Sequence, residues 1–137
     1  MAYWLLKTEP SSYSFDDLLR DRKTRWDGIT NPVALRHLRL AKAGDVAVVY
    51  HTGGERACIG TATVAGPAYP DPETGSGKLF VVDLVAGDRL ARAVALGELK
   101  GQKVFEGSPL ARQGRLSFVP LTDAQWKAIR DLASRGT

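Results

Sequence analysis

Five short segments bounded by turn-forming residues constrain this chain more than any other feature of its sequence. Each is rich in β-branched, aromatic or leucine residues, which is typical of β-strands, and the segments span 3–6, 46–50, 59–65, 79–85 and 116–119. The segment 79–85 is apolar on both faces, which predicts a central strand. No repeat, low-complexity tract or linker separates the segments within 137 residues, a length that can bury a core in one domain. We therefore predict one domain, 1–137, whose strands close on one another.

Helices are predicted between these strands from their capping residues. Asn31 is a suitable N-cap, and Pro32 follows at the first helical position, where the missing N–H costs nothing. Ser14 can begin a shorter helix in the same way, and Thr122 with Gln125 forms a capping box that begins a C-terminal helix. Strands and helices in this order predict an α+β fold, a small β-barrel of five or six strands with peripheral helices.

The counts of cysteine and histidine exclude several classes of site. One cysteine, Cys58, excludes an internal disulfide framework and a multi-cysteine zinc site. Two histidines are too few for most metal clusters, so we expect neither a metal nor a cofactor. No apolar run approaches the about 20 residues that span a bilayer, and residues 1–7 lack the pattern of a secretory signal. We expect a cytoplasmic protein without a membrane partner.

Positive charge is concentrated in two segments of the chain. Residues 20–42 hold seven lysines and arginines against two aspartates, and residues 89–115 hold six against two glutamates. Two basic segments on a nearly neutral body favour a polyanionic partner such as nucleic acid. The same charge also suits a solvated surface, so composition alone leaves both interpretations open.

Trp26 is an unusual candidate for a core position. It stands among Lys23, Arg25, Asp27 and Gly28, with no apolar neighbour until position 29. A π-face among cations is suited to stacking on a nucleobase. The alternative is that the indole closes one end of the barrel as a lid.

Lys7, Thr8 and Glu9 place a cation, a hydroxyl and a carboxylate at the end of the first predicted strand. Strand alternation predicts Lys7 and Glu9 on one face and Thr8 on the other. The three groups could serve nucleophilic or acid–base chemistry, or Lys7 and Glu9 could form a surface ion pair of little energetic weight. His51, at another strand end, could bind a ligand edge or a backbone group.

In combination, these residues resemble the EVE domain family. The resemblance spans nearly the whole chain and is carried by Tyr3–Pro10, Tyr13–Leu18, Trp26–Gly28, Asn31, Leu38–Arg39, Lys42, Gly44–Asp45, Tyr50–His51, Tyr69–Pro72, Leu116–Pro120 and Trp126. The family is similar to the thymocyte nuclear protein domain and belongs to the PUA-like fold. The resemblance implies a barrel with peripheral helices and a pocket for a flipped or unpaired base.

The resemblance also implies a non-catalytic reader of modified bases in DNA or RNA, which we expect to be monomeric. Carried over residue by residue, it implies a ligand pocket formed by Lys7, Thr8, Glu9, Trp26, Asn31, Tyr50, His51 and Thr52, with Arg25, Arg36 and Arg39 on the nucleic-acid backbone. Ile29 and Thr30 stand where valine and arginine are usual, which removes a cation from the pocket mouth. Two alternatives remain: a hydrolase of modified nucleosides that uses Lys7, Thr8 and Glu9, and an aromatic cage of Trp26 and Tyr50 for a methylated amine.

Overall fold

A computed structural model describes residues 1–73, 77–106, 108 and 116–134 of the chain. Its strands are β1 (Tyr3–Thr8), β2 (Lys23–Trp26), β3 (Val46–His51), β4 (Ala57–Val64), β5 (Tyr69–Pro70), β6 (Phe80–Ala95) and β7 (Phe118–Leu121). Its helices are α1 (Phe15–Asp21), α2 (Pro32–Leu38), α3 (Leu96–Lys100) and α4 (Asp123–Ser134), with a 3-10 turn at Lys103–Phe105. The predicted α+β class is confirmed. Arg112 and Arg115 of the second basic segment lie outside the described residues.

The seven strands form a mixed sheet in the order β2-β6-β4-β3-β1-β7, and β5 pairs with the beginning of β6. β1 runs parallel to β3, and the other pairs are antiparallel. The prediction of a closed barrel of five or six strands is wrong, because among the described residues β2 and β7 remain unpaired edges. Helix α2 packs against both β6 and β7. The helix therefore covers the gap between the two ends of the sheet, where a closed barrel would have a hydrogen-bonded ladder between β2 and β7.

Two side chains of this helical segment seat it on the sheet. The Nδ1 atom of His37 lies 2.9 Å from the carbonyl oxygen of Phe118 in β7. The guanidinium carbon of Arg39, just beyond the last turn of α2, lies 4.6 Å from the ring centroid of Phe80 in β6. Both contacts are made by residues that the sequence presents as polar and solvent-facing, so the helix position could not be inferred from its apolar face alone.

The predicted capping residues are confirmed. Asn31 Oδ1 accepts from the backbone N–H groups of Val33 and Ala34 at 2.8 and 3.2 Å. Thr122 and Gln125 cap one another reciprocally at the start of α4. Ser14 does the same with Asp17 at the start of α1. These local contacts fix where each helix begins.

Side chains from the sheet and the helices pack into one hydrophobic cluster. Phe15, at the beginning of α1, is completely buried, and its ring lies against Gly60 of β4 so closely that a Cβ at that position would overlap it. The backbone N–H of Phe15 donates to His51 Nε2 at 3.0 Å. The contact with Gly60 and the hydrogen bond to His51 hold the beginning of α1 against the sheet. The segment before α1 forms one wall of the site described next.

Candidate functional site

A cleft of about 500 Å³ opens between the end of β1 and the end of β2. This volume falls within the about 300–1,000 Å³ that is usual for small-molecule sites. The cleft is lined by Lys7, Thr8, Glu9, Ser12, Tyr13, Thr24, Arg25, Trp26, Asp27, Gly28, Ile29 and Ser117. β1 and β2 are far apart in the strand order, and the curved sheet brings their ends together without a hydrogen-bonded ladder between them.

Tyr13 connects the two sides of the cleft. Its backbone carbonyl accepts the hydroxyl hydrogen of Thr8 at 2.7 Å. Its ring meets the indole of Trp26 edge to face, with centroids 5.6 Å apart and planes at 82°. The Tyr13 hydroxyl donates to Asp21 Oδ2 at 2.8 Å. The ring is therefore held at both ends, and it fixes the orientation of the indole.

Trp26 is partly buried and lies beside the opening rather than inside the core. Within the described part of the chain its Nε1–H donates to no acceptor, and no fully buried side-chain donor there lacks a partner. The indole N–H therefore reaches solvent. The ring offers a flat apolar surface and a free donor at the mouth of the cleft, which suits a planar heterocyclic ligand.

Lys7 brings a positive charge into the cleft. Its side chain is half-buried, and Nζ lies 5.9 Å from the ring centroid of Tyr50. Burial lowers the pKa of Lys7 below its ordinary value. Lys7 and Glu9 do not form the surface ion pair that the sequence offered as one alternative, since no ion pair of the described residues includes Lys7. The ammonium group is therefore available to a ligand.

Glu9 supplies a carboxylate to the same cleft. Its Oε2 accepts from the backbone N–H of Ser11 at 2.6 Å and from the Ser11 hydroxyl. The hydroxyl and then the N–H of Ser11 lower the pKa of the Glu9 carboxyl, so the group is ionised at neutral pH. Thr8 is buried whereas Lys7 is part-buried and Glu9 is exposed, as strand alternation predicts, and β1 ends at Thr8 so that all three residues line the cleft.

The other predicted ligand residues are not part of the cleft lining. Tyr50 is buried, with Lys7 over its ring. Asn31 uses its carbonyl oxygen to cap α2. The hydroxyl of Thr52 donates to the carbonyl of Thr8 at 3.3 Å, and so supports the cleft from behind. The structure thus brings together Lys7, Thr8, Glu9 and Trp26, and leaves the other predicted ligand residues outside their cleft.

His51 is also buried behind the cleft and has two partners. Its Nε2 accepts from the backbone of Phe15, which places the proton on Nδ1, and that N–H faces Glu55 Oε1 at 2.7 Å. Both ring nitrogens are therefore occupied within the protein. Of the two predicted roles for His51, binding a ligand edge or a backbone group, this geometry matches the second.

Among the predicted backbone-binding arginines, Arg25 lines the cleft, whereas Arg36 and Arg39 do not. Arg25 lies 3.6 Å from Glu73 in an exposed ion pair. Such pairs contribute about 0–1 kcal/mol, so a phosphate could replace the glutamate at little cost. Arg20 is engaged by two aspartates of α1, which neutralises part of the first basic segment.

Sequence reasoning missed several lining residues, of which Tyr13 is the most informative. Tyr13 stands among Ser11, Ser12 and Ser14, an aromatic residue in polar company. This is the same signal that drew attention to Trp26, and it could have found Tyr13 as well.

Metal and membrane signals are also absent from the described residues. They contain no group of three or more His, Cys, Asp or Glu side chains placed to hold a metal ion. Among the same residues, no helix has the length and apolar character needed to cross a bilayer.

The model of the EVE domain matches residues 2–132 of this chain. The chain belongs to the EVE domain family. Thymocyte nuclear protein 1 of Rattus norvegicus is 30% identical over 165 residues, which cover 95% of this chain and 73% of the relative. An NMR structure of a protein from Rhodopseudomonas palustris is 32% identical, covers 100% of this chain and 96% of that chain, and has a TM-score of 0.91. The crystal structure of the human THYN1 protein in complex with 5-methylcytosine containing DNA is 27% identical, covers 100% of both chains, and has a TM-score of 0.87.

Proposed function

We propose that this EVE domain binds nucleic acid and receives one base, preferably a modified one such as 5-methylcytosine, in the cleft beside Trp26. The observation that carries the proposal is the indole held edge-on by Tyr13 next to an opening of about 500 Å³. The complex of the human THYN1 protein with 5-methylcytosine containing DNA supports the choice of ligand. Binding in this proposal involves no covalent step.

Phosphates of the nucleic acid are attracted by the exposed cations of the protein. Arg25 at the cleft, which also bonds the side chain of Tyr69, exchanges the weak ion pair with Glu73 for a phosphate. Arg36 and Arg39 add positive charge from α2 and the residue after it. Attraction of this kind releases counterions and weakens steeply as salt increases. The phosphate contacts position the strand, and the cleft selects the base.

The base leaves its stack to enter the cleft and lies against Trp26. Extrusion costs a few kcal/mol and costs least for a damaged, mispaired or single-stranded base. Stacking on an aromatic ring returns about 1–3 kcal/mol per base. A methyl group on the base adds about 0.8 kcal/mol if it is fully buried, and the buried side chain of Ile29 supplies apolar lining for it.

A hydrolase of modified nucleosides is the second candidate, because Lys7, Thr8 and Glu9 share one cleft. A hydroxyl nucleophile needs a base within hydrogen-bond reach. The Thr8 hydroxyl donates instead to the carbonyl of Tyr13, and the Glu9 carboxylate accepts from Ser11. These contacts favour binding over turnover. Release of a free base or nucleoside from an oligonucleotide, detected by mass spectrometry and lost in Glu9→Gln, would reverse that preference.

Replacing Trp26 by alanine is expected to weaken binding of an oligonucleotide with one 5-methylcytosine by about one to two orders of magnitude, because the stacking surface is removed. Trp26→Phe keeps a π-face and should lose less than about fivefold on the same scale. Fluorescence anisotropy with a labelled strand measures both affinities, and thermal melting confirms that each variant is folded. If Trp26→Ala is folded and binds as tightly as the parent protein, the base does not stack on this residue and the proposal fails.

A further inference from the structure

We propose that Glu9 is the specificity-determining residue of the cleft: its carboxylate accepts a hydrogen bond from the exocyclic amino group of the bound base. The cleft then selects cytosine-type and adenine-type bases and rejects thymine and uracil. This inference rests on the proposed function, since it names the class of base that the same cleft accepts.

The position of the carboxylate supports this role. Glu9 directly follows β1 and lines the cleft. Both hydrogen bonds from Ser11 end on Oε2, which leaves the lone pairs of Oε1 for a ligand. A Cβ at Gly53 would lie 3.0 Å from Oε1, so the absence of a side chain at Gly53 leaves space beside this oxygen. Ser11 thus holds Oε2, and Oε1 accepts no hydrogen bond from the described residues.

An ionised carboxylate has acceptors and no donors. It can therefore pair with an amino group, as carboxylates do with N4 of cytosine. Thymine and uracil carry a carbonyl oxygen at the same position, which would face a negative oxygen without a hydrogen between them. The Ser11 contacts lower the pKa of Glu9, so the group has no proton to donate to that carbonyl at neutral pH.

Lys7 adds a hydrogen-bond donor to the cleft that holds Glu9. Its ammonium group is in the same cleft and forms no ion pair within the described chain. It has donors only, which match the ring nitrogen and carbonyl acceptors beside the amino group of cytosine. An acceptor at Glu9 and a donor at Lys7 together define an orientation for the bound base.

The test compares 5-methylcytosine with thymine, because both carry the 5-methyl group and they differ in the substituent at position 4. Each base is placed once in an otherwise all-deoxyuridine single strand, so that the flanking bases also lack an amino group. We expect the parent protein to prefer 5-methylcytosine by about tenfold or more, as a good base contact provides. Glu9→Gln should reduce the ratio to within about threefold, because an amide can present either an acceptor or a donor.

Glu55→Gln is the matched control. It removes the same charge from an exposed glutamate that does not line the cleft, and it keeps the acceptor that faces His51. We expect it to raise both affinities slightly and to leave their ratio unchanged. Equal affinity of the parent protein for the two strands, with both lost in Trp26→Ala, would overturn the role of Glu9 while retaining the proposed function. Binding that is the same for all three strands, including all-deoxyuridine, and unaffected by Trp26→Ala would overturn both.

Discussion

Replacing Asp45 by alanine is expected to lower the free energy of unfolding by about 3–5 kcal/mol, because it leaves three donors without their acceptor. Asp45 is 4% exposed. It accepts from the backbone N–H of Ala2 at 2.9 Å, from Trp4 Nε1 at 3.0 Å and from the backbone N–H of Lys42 at 2.8 Å. These contacts tie the beginning of β1 to the turn before β3. Urea denaturation followed by circular dichroism measures the loss.

Asp45→Asn is the matched variant, because it keeps the size of the side chain and one acceptor oxygen. Its amide group would face at least one of the three donors, so we expect an intermediate loss of about 1–3 kcal/mol. A loss below about 1 kcal/mol for Asp45→Ala would show that water replaces the carboxylate, and would contradict this role.

The same carboxylate makes stability depend on pH. Burial disfavours its charge, but the hydrogen bonds from Trp4, Ala2 and Lys42 outweigh burial and lower the pKa of Asp45. Its contribution is therefore complete above the unfolded-state pKa of about 3.9 and is lost as the pH falls through the lower folded-state value. The parent protein should lose its advantage over Asp45→Asn in this acid range.

Gly60→Ala is the second change with a large expected effect. A Cβ at this position would overlap the ring of Phe15, which is completely buried and has no room to retreat. Overpacking of this kind costs about 1–3 kcal/mol. Because Phe15 begins α1, two residues after Tyr13, we also expect weaker binding of a 5-methylcytosine oligonucleotide. Chemical denaturation and anisotropy measure the two effects.

A double-mutant cycle tests whether the loss of stability in Gly60→Ala comes from its contact with Phe15. Phe15→Ala alone should cost about 3–5 kcal/mol through the cavity that it leaves, and adding Gly60→Ala to it should cost much less than in the parent protein. Gly97→Ala in α3 is the control, since a Cβ there meets nothing within 4 Å. Additive losses for Phe15 and Gly60 would contradict the proposed contact.

The helix starts could be predicted because capping depends on residues adjacent in sequence. Asn31, Ser14 and Thr122 accept from N–H groups within three residues of themselves. Whether the barrel closes depends instead on where α2 docks, and that depends on contacts to β6 and β7 that are distant in sequence. Strand β2 was missed because its Lys23 and Arg25 suggest a solvated turn, whereas the register places Arg25 opposite Asp83 of β6.

The candidate site could also be predicted only where the signal is local in the sequence. Trp26 was identified because an aromatic residue in polar surroundings lacks core partners, and Lys7 and Glu9 because they follow a strand. His51 also lies at a strand end, but its ring nitrogens face Phe15 and Glu55. Position along a strand predicts which residues lie near the sheet edge. It does not predict which side chains find partners inside the protein.

The most direct test of the Trp26 cleft follows the indole N–H signals of the three tryptophans by NMR during titration with a 5-methylcytosine oligonucleotide. Trp4 is bonded to Asp45 in the interior, and Trp126 stacks on Tyr3 at 5.6 Å, so the two serve as internal references. We expect the Trp26 signal to shift strongly while the signals of Trp4 and Trp126 stay in place. Saturable binding that shifts either reference signal and leaves Trp26 unchanged would contradict it.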